Sequence, residues 1–326
     1  MMSSAFHFQE LTPDTILDAI ESVGIYPETG LIPLNSFENR VYQFRCDRAQ
    51  RYVTKFYRPE RWSDDQIREE HAFAAELADA ELPVAVPVAI DGKTLFEFKG
   101  FRFALFPSLG GRPFEMDNLD QLEAIGHLLG RMHQVGRVAP FGEREHIGPH
   151  FARRALTVLE ESTLVPGHLH AELLSAAKTL TQAIEQHWFE AKALRLHGDL
   201  HPGNILWMPD GPGVVDLDDA VTGPAIQDLW MMLSGDDNDR RLQLDTLLLA
   251  YEEFSDFDHR ELKLIEPLRG IRMLHHMAWV LRRWDDPAFP QHFPWFEDES
   301  FWQRQCRELM QQCQLIAAPP LSLQPF

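Results

Sequence analysis

Apolar and polar positions divide the chain into a front with a period of two and a back with a helical period. From Asn39, the run NRVYQFRC, a polar turn through Asp47 to Gln50, and RYVTKFYR predict two strands joined by a short turn. Alternation puts Tyr42, Phe44 and Cys46 on one face of the first strand, and Val53, Lys55 and Tyr57 on one face of the second. A lysine sharing a face with valine and tyrosine belongs either to a mixed solvent edge or to a site where a carboxylate meets it. Ser63 with Gln66 then forms a capping box, and Asp64 and Asp65 suit the positive end of a helix. At about 100° per residue, Ile67, Phe73, Ala74 and Leu77 make one apolar stripe. Glu70 falls at the centre of that stripe, whereas Glu69 lies off it. A carboxylate inside a buried face is costly unless a cation meets it. Lys55 is the candidate cation; the alternative is a Glu70 that reaches solvent at the stripe's edge.

After a link punctuated by Pro83 and Pro87, KTLFEFKGFRFALFPSLGG predicts a hairpin turning at Lys99-Gly100. Helical periods follow over 118–137, 168–190, 242–254, 261–284 and 300–316. The expected class is α+β, with a small antiparallel-sheet lobe over 1–107 and a larger helical lobe over 108–326.

Composition narrows the function. A length of 326 residues is about twice a typical domain, in keeping with two lobes. Thirty Lys+Arg against fifty Asp+Glu leave a net charge of −20, which argues against nucleic acid or an anionic membrane as partner. It leaves room for one basic pocket. Cys46, Cys306 and Cys313 are scattered and form no CxxC pair, which suits a reducing compartment rather than a disulfide framework. The N-terminal residues show no basic segment followed by an apolar one, and no run has the apolar length of a membrane span. A cytoplasmic monomer is expected.

Residues 194–230 carry the candidate chemistry: LRLHGDLHPGNILWMPDGPGVVDLDDAVTGPAIQDLW. Ile205-Leu206-Trp207 and Val214-Val215 read as two short strands around a tight turn, which places Asn204 and Asp216 at neighbouring positions. Asp199 sits on the loop entering the first strand. All three side chains offer oxygen, the preference of a hard cation such as Mg²⁺. Phosphoryl transfer needs such a set: a carboxylate to orient the nucleophile, and an amide and a carboxylate to hold metal at the phosphates. Two other readings stand beside it. His197, Asp199 and His201 could ligate a transition metal, or the aspartates and glycines could simply shape turns.

HGDLHPGN followed by VVDLDD resembles the catalytic and metal-binding loops of the aminoglycoside-phosphotransferase/choline-kinase branch of the protein-kinase-like fold. PLNSFENRVYQF, VTKFYRPERWS, FPSLGGRPF, GPAIQDLWMML and RRWDDPAFPQHFPW are similar to the bacterial stress response kinases, a group of Ser/Thr protein kinases in that branch. The resemblance covers nearly the whole chain. It implies a bilobal kinase fold and transfer of the ATP γ-phosphoryl group to protein Ser/Thr hydroxyls, with autophosphorylation and a stress-response role. It implies Asp199 as the catalytic aspartate, Asn204 and Asp216 as Mg²⁺ ligands, and Asp216 at the D-F-G aspartate position. Lys55 would contact the α- and β-phosphates with Glu70 as its helix partner, Ser36 would lie at the tip of the phosphate loop, and 106–108 would be the adenine hinge. A small-molecule acceptor is the alternative, since relatives in the branch phosphorylate aminoglycosides, choline and homoserine. Three features depart from the wider kinase pattern: residues 33–41 contain no glycine, the D-F-G position reads Asp216-Leu217-Asp218, and A-P-E is missing. Outside these motifs, Asp228 is expected to cap a helix starting at Leu229 or to brace the catalytic loop, and His133 to be a bonded core histidine.

Overall fold

The computed structural model describes residues 7–323. The chain opens with α1 (Pro13–Ser22), β1 (Ile32–Pro33), β2 (Arg40–Arg45), β3 (Arg51–Phe56), α2 (Asp64–Asp79), β4 (Phe96–Phe98), β5 (Phe101–Pro107) and β6 (Arg112–Pro113). Helices α3 (Leu119–Gly136), α4 (Pro149–Glu161) and α5 (Gly167–His187) follow. Short strands come next: β7 (Leu194–Leu196), β8 (Ile205–Met208), β9 (Gly211–Val214) and β10 (Val221–Gly223). The chain closes with α6 (Ile226–Leu229), α7 (Asp237–Glu252), α8 (Ile265–Arg282), α9 (Ala288–His292) and α10 (Glu299–Ala317). The class is α+β, and every pair of strands within the sheets is antiparallel.

Two compact units divide these elements, and neither is one continuous stretch. The first runs up to Glu115 and adds Phe141–Arg144 and Asp199–Ala220; the second takes Met116–Pro140, Glu145–Gly198 and the chain from Val221 onward. Residues 199–220, counted with the helical part in the sequence reading, therefore pack with the sheet-bearing unit. The charges described below tie them there.

In the first unit a five-stranded sheet runs β1-β2-β3-β5-β4. The β4–β5 hairpin pairs Phe98 with Phe101, so Lys99 and Gly100 form a two-residue turn, with φ of +49° and +82°. Positive φ at both positions matches the right-handed twist of the flanking strands. One sheet face carries Phe44, Phe56, Phe103 and Leu105 into a core with Ile16 and Ile20 of α1. The alternate residues Tyr57 and Ala104 form a second cluster with Ile67 of α2. Lys55 lies on this second face, as the period of two requires. The capping box that starts α2 forms on both sides: Ser63 Oγ accepts from the Gln66 N–H at 3.1 Å, and Gln66 Oε1 from the Ser63 N–H at 2.9 Å. A second, three-stranded sheet orders β6-β8-β9.

The second unit is helical apart from the β7–β10 pair. Its α3 packs on α7 and buries Leu122, Ile125, Leu129 and Met132 of the five residues its period selects, while Leu119, at its first position, is exposed. Glycine makes that approach close. A Cβ on Gly126 would stand 2.5 Å from the Leu247 carbonyl oxygen, and one on Gly130 would stand 2.6 Å from that of Tyr251. Helix α7 begins earlier than expected because Asp236 caps it, accepting from the backbone N–H of Asn238 and Asp239. Helices α1 and α4, the short strands β1 and β6, and the β7–β10 pairing are additions to the sequence reading. Among the described residues no helix is long and apolar enough to cross a membrane.

Gly126→Ala tests the α3–α7 contact. The methyl meets backbone, which cannot rotate away, so overpacking of about 1–3 kcal/mol should outweigh the ~1 kcal/mol gain in helix propensity. Urea unfolding should show a lower midpoint with an unchanged slope.

Candidate functional site

Strand β3 sets Lys55 between Val41 of β2 and Ala104 of β5. Its side chain is buried, with Nζ 2.6 Å from Asp216 Oδ1, 3.5 Å from Asp218 Oδ1 and 3.9 Å from Glu70 Oε1. Burial opposes the ammonium charge, but the carboxylates of Asp216, Asp218 and Glu70 more than offset it and hold the Lys55 pKa well above its ordinary value. Lys55 is a buried cation, not a strand-edge residue.

Glu70 is equally buried, and its nearest cation is Arg144, whose Nη2 donates to Oε2 at 3.1 Å. The expected Lys55–Glu70 approach exists, but it is the longer of the two. Burial pushes the Glu70 carboxyl up, and Lys55 and Arg144 pull it back. Asp218 is the other buried carboxylate. Its Oδ2 accepts from Asn39 Nδ2 at 3.1 Å and from Arg61 Nη1, while Arg61 Nη2 reaches Asp219 Oδ1. Burial would raise its pKa, yet Lys55, Arg61 and Arg144 together hold it below the usual carboxylate range. The Trp62 ring meets both arginines, with the guanidinium carbons of Arg61 and Arg144 5.1 and 4.6 Å from its centroid. Asp218, Arg61 and Arg144 had no place among the expected site residues. The sequence carried no signal for them beyond the general need of buried carboxylates for cations.

The β8–β9 hairpin supplies the oxygen donors. Ile205 pairs with Val214, and the Asn204 carbonyl accepts from the Val215 N–H at 3.1 Å. Asn204 therefore stands opposite the residue before Asp216, as the hairpin reading requires. Asn204 Nδ2 donates to the Asp199 carbonyl at 2.9 Å, which leaves the amide oxygen as the atom to meet a cation. Asp216 takes the left-handed conformation (φ +64°, ψ +65°), which aspartate tolerates better than most residues. Asp199 lies 3.6 Å from His201 Nε2, and His201 Nδ1 accepts from the Gly203 N–H at 3.0 Å. The donor set suits a hard cation: the Asn204 amide, the half-exposed Asp216 carboxylate, and nearby Asp218 Oδ1, which is buried without a hydrogen bond. Among the described residues no three His, Cys, Asp or Glu side chains are grouped to hold a metal, His197, Asp199 and His201 included.

Ser36 lies half-buried on the loop between β1 and β2. Arg58 restrains that loop, donating to the Glu38 carbonyl at 2.9 Å and to the Phe37 carbonyl at 3.2 Å. Asn39 closes it: its Oδ1 accepts from the Arg58 N–H at 3.0 Å while its Nδ2 serves Asp218.

In the second unit, Asp228 lies inside α6 and so does not cap a helix starting at Leu229. It is fully buried and accepts from the backbone N–H of His197 and of Gly198, both at 2.8 Å, and pairs with His133 Nε2 at 3.2 Å. The Tyr251 hydroxyl holds His133 Nδ1 at 2.9 Å. Burial would raise the Asp228 pKa, but these hydrogen bonds and the His133 ring keep it low. Asp228 thus fixes the two residues that precede Asp199.

Residues 30–265 match the phosphotransferase enzyme family. Stress response kinase A of Escherichia coli O157:H7 is 54% identical over the full length of both chains. Serine/threonine protein kinase RdoA of Salmonella typhimurium is 53% identical, again over both full lengths. Among solved structures, amicoumacin kinase hAmiN in complex with AMP-PNP, Ca²⁺ and Ami aligns over 95% of each chain with a TM-score of 0.73 and 18% identity, which shows a shared fold.

Asp228→Ala should cost on the order of 3 kcal/mol, because it strands buried donors. A carboxyl held below its unfolded pKa adds stability above that value and loses it as pH falls through the folded one. In urea titrations, the gap between wild type and Asp228→Asn should therefore narrow below about pH 4.

Proposed function

The chain belongs to the phosphotransferase enzyme family and is an ATP-dependent phosphotransferase; from that premise we propose that it is a Mg²⁺-dependent Ser/Thr protein kinase. In this reading it acts as a cytoplasmic monomer in a bacterial stress response, and it is able to phosphorylate itself. The observation that carries the reading is the buried, charged Lys55 standing 2.6 Å from Asp216, on the hairpin that also presents Asn204. Full-length identity of 53% to a relative named serine/threonine protein kinase RdoA supports the protein acceptor.

The lobe of residues 1–107 takes ATP. Lys55 meets the α- and β-phosphate oxygens, and Glu70 completes its setting. Ser36 caps the phosphates from the loop that Arg58 restrains, and residues 106–108 receive the adenine. Asn204 and Asp216 would hold Mg²⁺, which neutralises the phosphate oxygens when bound. Asp199 aligns the acceptor hydroxyl and takes its proton as the new oxygen–phosphorus bond forms, while the bond from the γ-phosphorus to the β–γ bridging oxygen breaks and ADP leaves. Catalysis in this scheme is mostly positioning and charge stabilisation.

Asp199→Asn should lower turnover by about 10²–10⁴ and leave ATP affinity nearly unchanged, read by transfer of labelled phosphate and by equilibrium binding. Wild-type turnover in that variant would refute the role of Asp199. The acceptor is tested by incubating purified protein with labelled ATP, Mg²⁺, a generic protein acceptor and a small-metabolite fraction. Label in protein supports the kinase reading. Label confined to a small metabolite would replace it with a small-molecule kinase.

A further inference from the structure

Residues Phe141–Arg144 belong to the first compact unit, although the residues on either side of them in sequence, 116–140 and 145–198, belong to the second. Loops usually keep few contacts of their own. This one is held by a whole face of α2. The Glu69 carboxylate accepts three successive backbone N–H groups, from Gly142 at 2.5 Å, Glu143 at 2.9 Å and Arg144 at 3.0 Å. Gln66 Nε2 donates to the Glu143 carbonyl at 2.9 Å, and the Gln66 carbonyl accepts from Arg144 Nε at 3.0 Å. Phe73 meets Phe141 edge to face, with ring centroids 5.3 Å apart. Gln66, Glu69, Glu70 and Phe73 follow the spacing that aligns side chains along one side of a helix.

Arg144 uses its remaining donors to join two other parts of the site. Nη2 bonds Glu70 at 3.1 Å, while Nη1 bonds the carbonyls of Asp218 at 2.7 Å and Ala220 at 3.1 Å. One planar guanidinium thus spans from α2 to the backbone that follows Asp216. A lysine has neither the fork nor the donor geometry to do this.

We infer that residues 141–144 are a positioning segment for phosphoryl transfer. Arg144 sets the spacing between Glu70 and the 218–220 backbone, and through them the places of Lys55 and Asp216. Glu69 in turn holds the backbone of Arg144. The inference rests on the nucleotide and metal roles proposed for Lys55 and Asp216, and it makes Arg144 act through those groups without touching substrate. It also means that the fold itself sets the position of α2.

The test is a double-mutant cycle on the full-length protein. Arg144→Ala strands a buried Glu70 and risks unfolding, so Arg144→Lys and Glu69→Ala serve as the working variants. Each should lower kcat/KM for ATP by about 10–100-fold and leave the KM of the protein acceptor unchanged. In a Glu70→Gln background, Arg144→Lys should cost less than about threefold more, because the two residues act as one unit. Fully additive losses, or an acceptor KM that rises in step with the ATP KM, would overturn the inference and leave Arg144 a structural residue. Lys55→Met, measured alongside, separates the two failures. Wild-type turnover in Lys55→Met brings down the reading of the site and this inference with it. A dead Lys55→Met with an additive cycle brings down this inference alone.

Discussion

A buried ammonium group governs the rest of the first unit. Lys55 is 6% exposed, and removing its charge from water is tolerable only because carboxylates surround it. Those carboxylates then carry the same requirement. Glu70 is met by Arg144 and Asp218 by Arg61, so the positive and negative groups alternate through the site. Losing one member leaves its neighbour uncompensated in a low dielectric, so the members stand or fall together. The members come from β3, the turn after it, α2, the 141–144 segment and the stretch after β9. The cluster is thus a joint between distant parts of the chain.

Much of this was legible because the site breaks local rules. Lys55 on an apolar strand face and Glu70 in an apolar helix stripe are each misplaced by periodicity, and the structure places them 3.9 Å apart. Asn204 and Asp216 were legible for another reason: a tight hairpin converts their sequence spacing into adjacency with little freedom. Arg144 was not legible. It lies 74 positions from Glu70 and sits in no periodic segment, so neither pattern nor spacing points to it. The brace at Asp228 was half-legible, since the residue stood out but its two backbone donors lie some 30 positions earlier. Among the elements, α1 went unread although Thr12 and Pro13 mark its start. Strands of two or three residues such as β1, β6 and β10 carry too few positions to show alternation.

In the proposed reading, the loop between β1 and β2 would meet phosphate without the glycine that kinase-like loops commonly use. Glycine lets a backbone approach phosphate by removing steric limits. Here Arg58 and Asn39 remove freedom instead, fixing two carbonyls and the loop's end. A loop held in one shape loses less entropy when it closes on a ligand. Asn39 also bonds Asp218, so the loop and the lysine share a carboxylate.

The discontinuity of the first unit has a consequence in time. A ribosome delivers the stretch up to Glu115 well before Asp199–Ala220, the piece that brings Asp216 and Asp218 to Lys55. At ~5–20 residues per second, the interval is roughly five to twenty seconds. Throughout it Lys55 and Arg61 lack their aspartate partners, and the sheet can pack its α1 face but not settle the charged one. The nascent chain therefore waits half-finished, with its charged side the last to set.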